Sequence, residues 1–198
     1  MKPCSSCPFT PSATLGKWAP HHLIAISYLL SGDSVLGTMG CHFWDGSHPG
    51  RMPEDSPACG GWIRVARETP TIRLMMATGQ INPDEPYSDL ENLFPDVETM
   101  LRWNGIDVDR LPPLKCPPVR TAEDVVNWQR SILDLKARID ANQEVAWAYV
   151  LPGSPMTFGV DDDAKPKMPA RKLNAWIKKC EKWSAIRTAR IAREEAAW

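Results

Sequence analysis

KPCSSCP, residues 2–8, places Cys4 and Cys7 in a CxxC pair; CH at 41–42 and ACGGW at 58–62 add Cys41, His42 and Cys59. A CxxC turn lets one ion reach both sulfurs, and two thiolates brought back by the chain complete a tetrahedron of soft donors. The predicted metal ligands are therefore Cys4, Cys7, Cys41 and Cys59. His42 is the variant ligand of a Cys3His set, because neighbouring side chains such as those of Cys41 and His42 point apart and do not readily share one ion. A closed four-thiolate site is structural, since catalytic zinc keeps an open position for water. The spacing is wider than in compact zinc fingers: 33 residues lie between Cys7 and Cys41, and 17 between Cys41 and Cys59.

The sequence around these ligands explains why a staple is needed. Pro3, Pro8, Pro11, Pro20, Pro49, Pro53 and Pro57 interrupt it, and Gly40, Gly46, Gly50, Gly60 and Gly61 gather near the later ligands. Regular structure survives such punctuation only between Pro20 and Gly32, where HHLIAISYLLSG predicts a helix with Leu23, Ile26, Leu29 and Leu30 on one side. Ion binding would supply the folding free energy that so few apolar residues cannot.

Beyond residue 62 the pattern is helical. WIRVARETPTIRLMMAT (62–78) is split by Pro70 into two short helices, and Pro95 is placed as the first helical residue of PDVETMLRWNG, which Gly105 closes. LPPLKCPPVR (111–120) is too rich in proline for helix or inner strand and reads as an extended connector. Thr121 is set to cap the clearest helix, with Val125, Trp128, Ile132, Leu135 and Ile139 repeating at steps of three and four. Residues 145–160 suggest a short strand and DDDAKPKMP (161–169) a polar hinge; from Arg171 to Ala197, Leu173, Trp176, Ile177, Cys180 and Trp183 form one apolar helical face. The expected fold is mostly α with an irregular, metal-stapled N-terminal module and a small admixture of strand. Three parts are drawn: a cysteine-rich metal-binding module at 1–62, a helical body at 63–169 and a basic, Trp-rich C-terminal helix at 170–198.

Composition narrows the function by exclusion. The 198 residues are 43% hydrophobic, enough for a core, and their net charge of −1 supplies no overall pull toward polyanions or membranes. Charge is unevenly spread, however: 170–198 holds eight basic and three acidic residues, against twelve and seventeen in 61–169. The first residues lack the apolar run of a secretion signal and no stretch suits a bilayer, so the expectation is a cytoplasmic protein whose cysteines stay reduced. No P-loop, dinucleotide fingerprint, nucleophile elbow or HExxH occurs. The histidines, His21, His22, His42 and His48, all lie in the first module, and loop groups such as His48 and Asp45 are more often surface residues than catalysts. The acidic run Asp161–Asp163 lacks the spaced oxygen ligands of a calcium loop. No catalytic residue is assigned.

Two alternatives stand beside zinc. A 4Fe–4S cluster also suits four cysteines with a proline after the second, and Cys116, followed by Pro117, is a spare thiolate; alternatively the cysteines are unliganded buried thiols. KPCSSCP, CH and ACGGW together resemble a small cysteine-rich family of unknown function found in bacteria and their phages, whose pattern runs KPCxxCP, CH, CAGW. The resemblance covers residues 2–62, with Gly60 in place of the pattern's alanine, and implies a shared metal-binding module but no reaction.

The C-terminal helix is the candidate interaction surface, through Lys172, Trp176, Lys179, Trp183, Arg187 and Arg190: its cations could follow a phosphate backbone and its indoles could stack. Against this, the tryptophan face could pack on the body and the charges could merely be solvated. The reading is a cytoplasmic structural-zinc protein of phage or bacterial type that binds nucleic acid or a host or viral protein. Its alternatives are a cluster-containing enzyme acting on nucleic acid, and a phage assembly or virion component with the tryptophan helix as an oligomer seam.

Overall fold

In the computed structural model, residues 7–29, 59–65, 70–79, 92–114, 121–161 and 165–196 are described. Among them the chain is mostly helical, with six α-helices, three short 3-10 helices, and two isolated bridges in place of any strand. Helix α1 (Pro20–Leu29) starts at a proline, whose missing N–H costs nothing in a first turn. Its buried side is broader than the sequence suggested: Leu23, Ile24, Ile26, Ser27 and Tyr28 are all buried, while His22 and Ala25 are exposed. The buried Ser27 hydroxyl is satisfied by donating to the Ile24 carbonyl at 2.6 Å. The side chains of Leu29 and Leu30 lie outside the described residues.

Two short helices, α2 (Gly60–Val65) and α3 (Pro70–Ala77), fall on either side of the break expected at Pro70. Helix α4 (Val97–Trp103) begins two residues later than its proline implied. Asp96 is the cap, its carboxylate accepting from the Thr99 N–H at 2.7 Å, and Pro95 therefore precedes the helix. An aspartate adjoining the proline offers the orphan amides an acceptor, which outweighs the proline's preference for the first turn. Gly105, at φ +88°, ends α4 as expected, in a region that side-chain-bearing residues enter at a cost.

Helix α5 (Ala122–Ala141) carries a full capping box: Thr121 accepts from the Asp124 N–H, and the Asp124 carboxylate accepts from the Thr121 N–H. Trp128, Ile132, Leu135 and Ile139 are buried, the face the periodicity drew, and Val125 is half-buried at its edge. Residues 145–160 are not a strand. They form 3-10 turns at Gln143–Tyr149 and Pro155–Phe158, and strand geometry is confined to single bridges, Val150 with Ile106 and Val160 with Pro166. The Asn142 side chain caps the first turn by accepting from the Glu144 N–H, a local bond that competes with an extended backbone.

The main core gathers Cys7, Phe9, Leu23, Ile24, Cys59, Trp62, Ile63, Met100, Leu101, Ile106, Trp128, Leu135, Ala146 and Met156, drawing on residues before and after position 62. The 143–149 turns pack against both α1 and α5, and α1 also meets α4. Carbonyls of the proline-rich connector clamp these helices: Pro112 accepts from the Tyr28 hydroxyl and Pro113 from the Trp128 indole N–H, both at 2.8 Å. Helix α6 (Ala170–Ala196) packs on α4 through a second cluster of Leu15, Trp176 and Cys180.

Candidate metal centre and C-terminal helix

Cys7 opens a tight turn, its carbonyl accepting from both the N–H and the hydroxyl of Thr10 at 3.1 Å. Cys59 immediately precedes α2, its carbonyl accepting from the Ile63 N–H at 2.9 Å. Both cysteines are buried, at 0% and 4% exposure, in the same core cluster. They are brought close across 51 intervening residues: a Cβ built on Gly61 would stand 2.6 Å from the Cys7 Sγ and 2.9 Å from the Phe9 ring. The α2 backbone thus reaches the Cys7 sulfur only because position 61 has no side chain. The Phe9 carbonyl accepts from the Phe94 N–H at 2.8 Å, tying this turn to the approach to α4.

Cys4, Cys41 and His42 lie outside the described residues, as do Asp45 and His48. Among the described residues no three His, Cys, Asp or Glu side chains converge as a metal site. Of the five sequence-assigned ligands, then, the structure places Cys7 and Cys59, and sets their segments against each other. Next to them, Trp62 is buried with an indole N–H that has no hydrogen-bond partner among the described residues. His21 and His22 sit at the start of α1 with ring centres 4.0 Å apart. Burial, and then the neighbouring His21, hold the His22 imidazole below its ordinary pKa, so it is neutral near pH 7.

The C-terminal surface divides between packing and solvent. Trp176 is 4% exposed and its indole N–H donates to the Trp103 carbonyl at 2.9 Å; Trp183 is half-buried and meets Trp176 edge-on at 5.8 Å. The Lys179 ammonium lies over both indoles, 5.4 and 4.9 Å from their centres, and the Lys172 ammonium lies 5.1 Å from the Phe158 ring. The side chains of Arg187 and Arg190 lie outside the described residues. Arg102, which sequence reasoning passed over, stacks on Trp183 from α4 and pairs with Asp109 at 2.7 Å and Glu98 at 3.3 Å. Burial pulls the Arg102 pKa down, but those carboxylates outweigh it, while the Arg102 hydrogen bond holds Asp109 below its ordinary value. The signal was available as the i, i+4 pair Glu98–Arg102. Among the described residues the exposed cations of α6 are Arg171, Lys172, Lys178, Lys179, Lys182 and Arg193; Lys172 and Lys179 lie over the rings just named, and of the other four Arg193 makes a bond back to the helix, to the Ala189 carbonyl.

Helices α4 and α6 also enclose an apolar groove of about 640 Å³, lined by Phe94, Pro95, Trp103, Cys180, Ala185 and Ala189 among others. Burial pushes the Cys180 thiol up to about 12, Lys179 opposing and Glu181 assisting, so it is a protonated, inert group on the groove floor.

A family model described as "Family of unknown function (DUF6283)" matches residues 1–141, and the chain belongs to that family. The matched residues run to the end of α5 and leave α6 beyond them. No curated protein and no solved structure matches the chain.

Proposed function

We propose that this member of the family is a metal-stapled binding protein. Its Cys4, Cys7, Cys41 and Cys59 thiolates, with His42 as variant ligand, hold a structural zinc ion, and its C-terminal helix meets a nucleic acid or protein partner. What supports the first half is the seating of the Cys7 sulfur on Gly61, two residues after Cys59, inside one buried cluster. Two thiols that the chain supplies from either end of 51 intervening residues, in a segment rich in proline and glycine, make a donor set that zinc fits. When bound, the ion would lock the turn at Cys7 to α2 and supply no open coordination position. A reducing cytoplasm would keep these thiols available. The charge of α6, eight basic residues to three acidic between 170 and 198, supports the second half.

Elemental analysis of protein expressed without added metal tests the site. One zinc per chain in a colourless solution is expected, with Cys7→Ser losing the metal and a chelator lowering the unfolding temperature. A brown protein carrying iron would replace the ion with a cluster. Metal-free protein that unfolds at the same temperature with and without chelator would remove the reading.

A further inference from the structure

The exposed side of α6 carries a line of cations that the tryptophan packing leaves to solvent. At 3.6 residues per turn, Arg171, Lys178, Lys182 and Arg193 fall within a sector of about 60°, and at 1.5 Å per residue they extend over about 33 Å. No Asp or Glu of the helix falls in that sector; Glu181 is on the side of the groove against α4. Arg171, Lys178 and Lys182 form no ion pair among the described residues. The two lysines singled out by sequence, Lys172 and Lys179, are instead laid over aromatic rings.

From this arrangement we infer that the solvent face of α6 binds the phosphate backbone of duplex nucleic acid. The inference rests on α6 being the binding element of the proposed function, and it commits that element to one partner. Three features select it. A straight row of about 33 Å spans roughly one turn of a duplex, where charge recurs at fixed positions, about one per 1.7 Å of axis. The indoles that single-strand binders offer for stacking are absent from this face: Trp176 is buried, and Trp183 is enclosed between Arg102 and Lys179. The row is also uniformly cationic, with no carboxylate of the helix within its sector to repel phosphates.

The test is fluorescence anisotropy of the full chain with a 20-base-pair duplex and with either of its single strands. Lys178→Glu/Lys182→Glu is compared with Arg130→Glu/Arg138→Glu on the exposed side of α5, an equal change of charge. The expected result at about 50 mM salt is a more than tenfold loss for the α6 pair, a change under about threefold for the α5 pair, and a salt slope shallower by about 2 for the former. Single strands should bind more weakly than duplex. Equal losses in both pairs, wild-type binding indifferent to salt, or competition by polyglutamate as effective as that of duplex at equal charge would overturn the inference, the last pointing to an acidic protein partner. Circular dichroism confirms that helix content is kept. Zinc measured on the same preparations reports separately on the cysteine site: metal-free protein that binds duplex through these lysines removes the staple and leaves this inference standing. Zinc-loaded protein that ignores duplex does the reverse.

Discussion

A methyl group on Gly61 would stand 2.6 Å from the Cys7 sulfur, closer than real side chains pack, so the choice of residue there decides how near α2 comes to the Cys7 turn. Gly105 is under a double constraint, with φ +88° and a Cβ position 2.4 Å from that of Ser154; one glycine ends a helix and lets a loop cross it. Cys180 shows what burial does to a titratable group. In the native state its thiol keeps its proton up to about pH 12, whereas in the unfolded chain it titrates near 8.5, as an ordinary cysteine does. Between those limits the native state binds more protons than the unfolded one. The thiol's contribution is therefore complete below about pH 8.5 and is lost as pH rises toward 12. Urea unfolding from pH 8 to 10 should show stability falling with pH in the wild type and falling less in Cys180→Ala; superimposable slopes would show that this thiol is not protected.

Helices in this protein are fixed at their ends by local bonds and held in place by distant ones. The capping box on α5 joins Thr121 and Asp124, and Thr121→Ala removes one arm of it, leaving an amide of the first turn to water. We expect Thr121→Ala to cost about 1 kcal/mol in urea unfolding, with Thr121→Ser close to wild type; no loss in the alanine variant would mean that packing alone holds the helix start. Helix α6 differs in kind, since one face anchors it to α4 through Trp176, Cys180 and Trp183 and the opposite face carries charge. Arg102 couples the two helices by pairing with Glu98 and Asp109 while stacking on Trp183. Lys179 meets solvent and packs at once, exposed yet with its ammonium over two indoles.

For the molecule as a whole, the family match ends where α5 ends, but the core does not. Ala146 and Met156 are buried in it, the Leu151 N–H donates to the Gly105 carbonyl, and the Asp107 N–H donates to the Tyr149 carbonyl, each at 2.7 Å. A fragment of residues 1–141 would leave α1, α4 and α5 without the turns that cover them. It should unfold at least about 10 °C below the full chain, since a loss of about 3 kcal/mol or more moves a domain of this size by that much; equal unfolding temperatures by calorimetry would show that the C-terminal third is an appendage. The sequence by itself determined the helical class, the break at Pro70, the cap at Thr121, the stop at Gly105 and the apolar faces of α5 and α6. Each depends on residues within one or two turns of each other, where capping bonds and a 3.6-residue period operate. It suggested a short strand within 145–160, where 3-10 turns and single bridges stand, and set Pro95 as the first residue of α4, because side-chain caps and packing against α1 and α5 outweighed weak local preference. Only the tertiary structure decided that the Cys7 sulfur rests on Gly61 beside Cys59, that the Trp176 indole N–H meets the Trp103 carbonyl, and that the Lys179 ammonium lies over two indoles while Arg171, Lys178 and Lys182 lie over no ring among the described residues. Those outcomes depend on which distant surfaces meet, and spacing along a chain does not encode that.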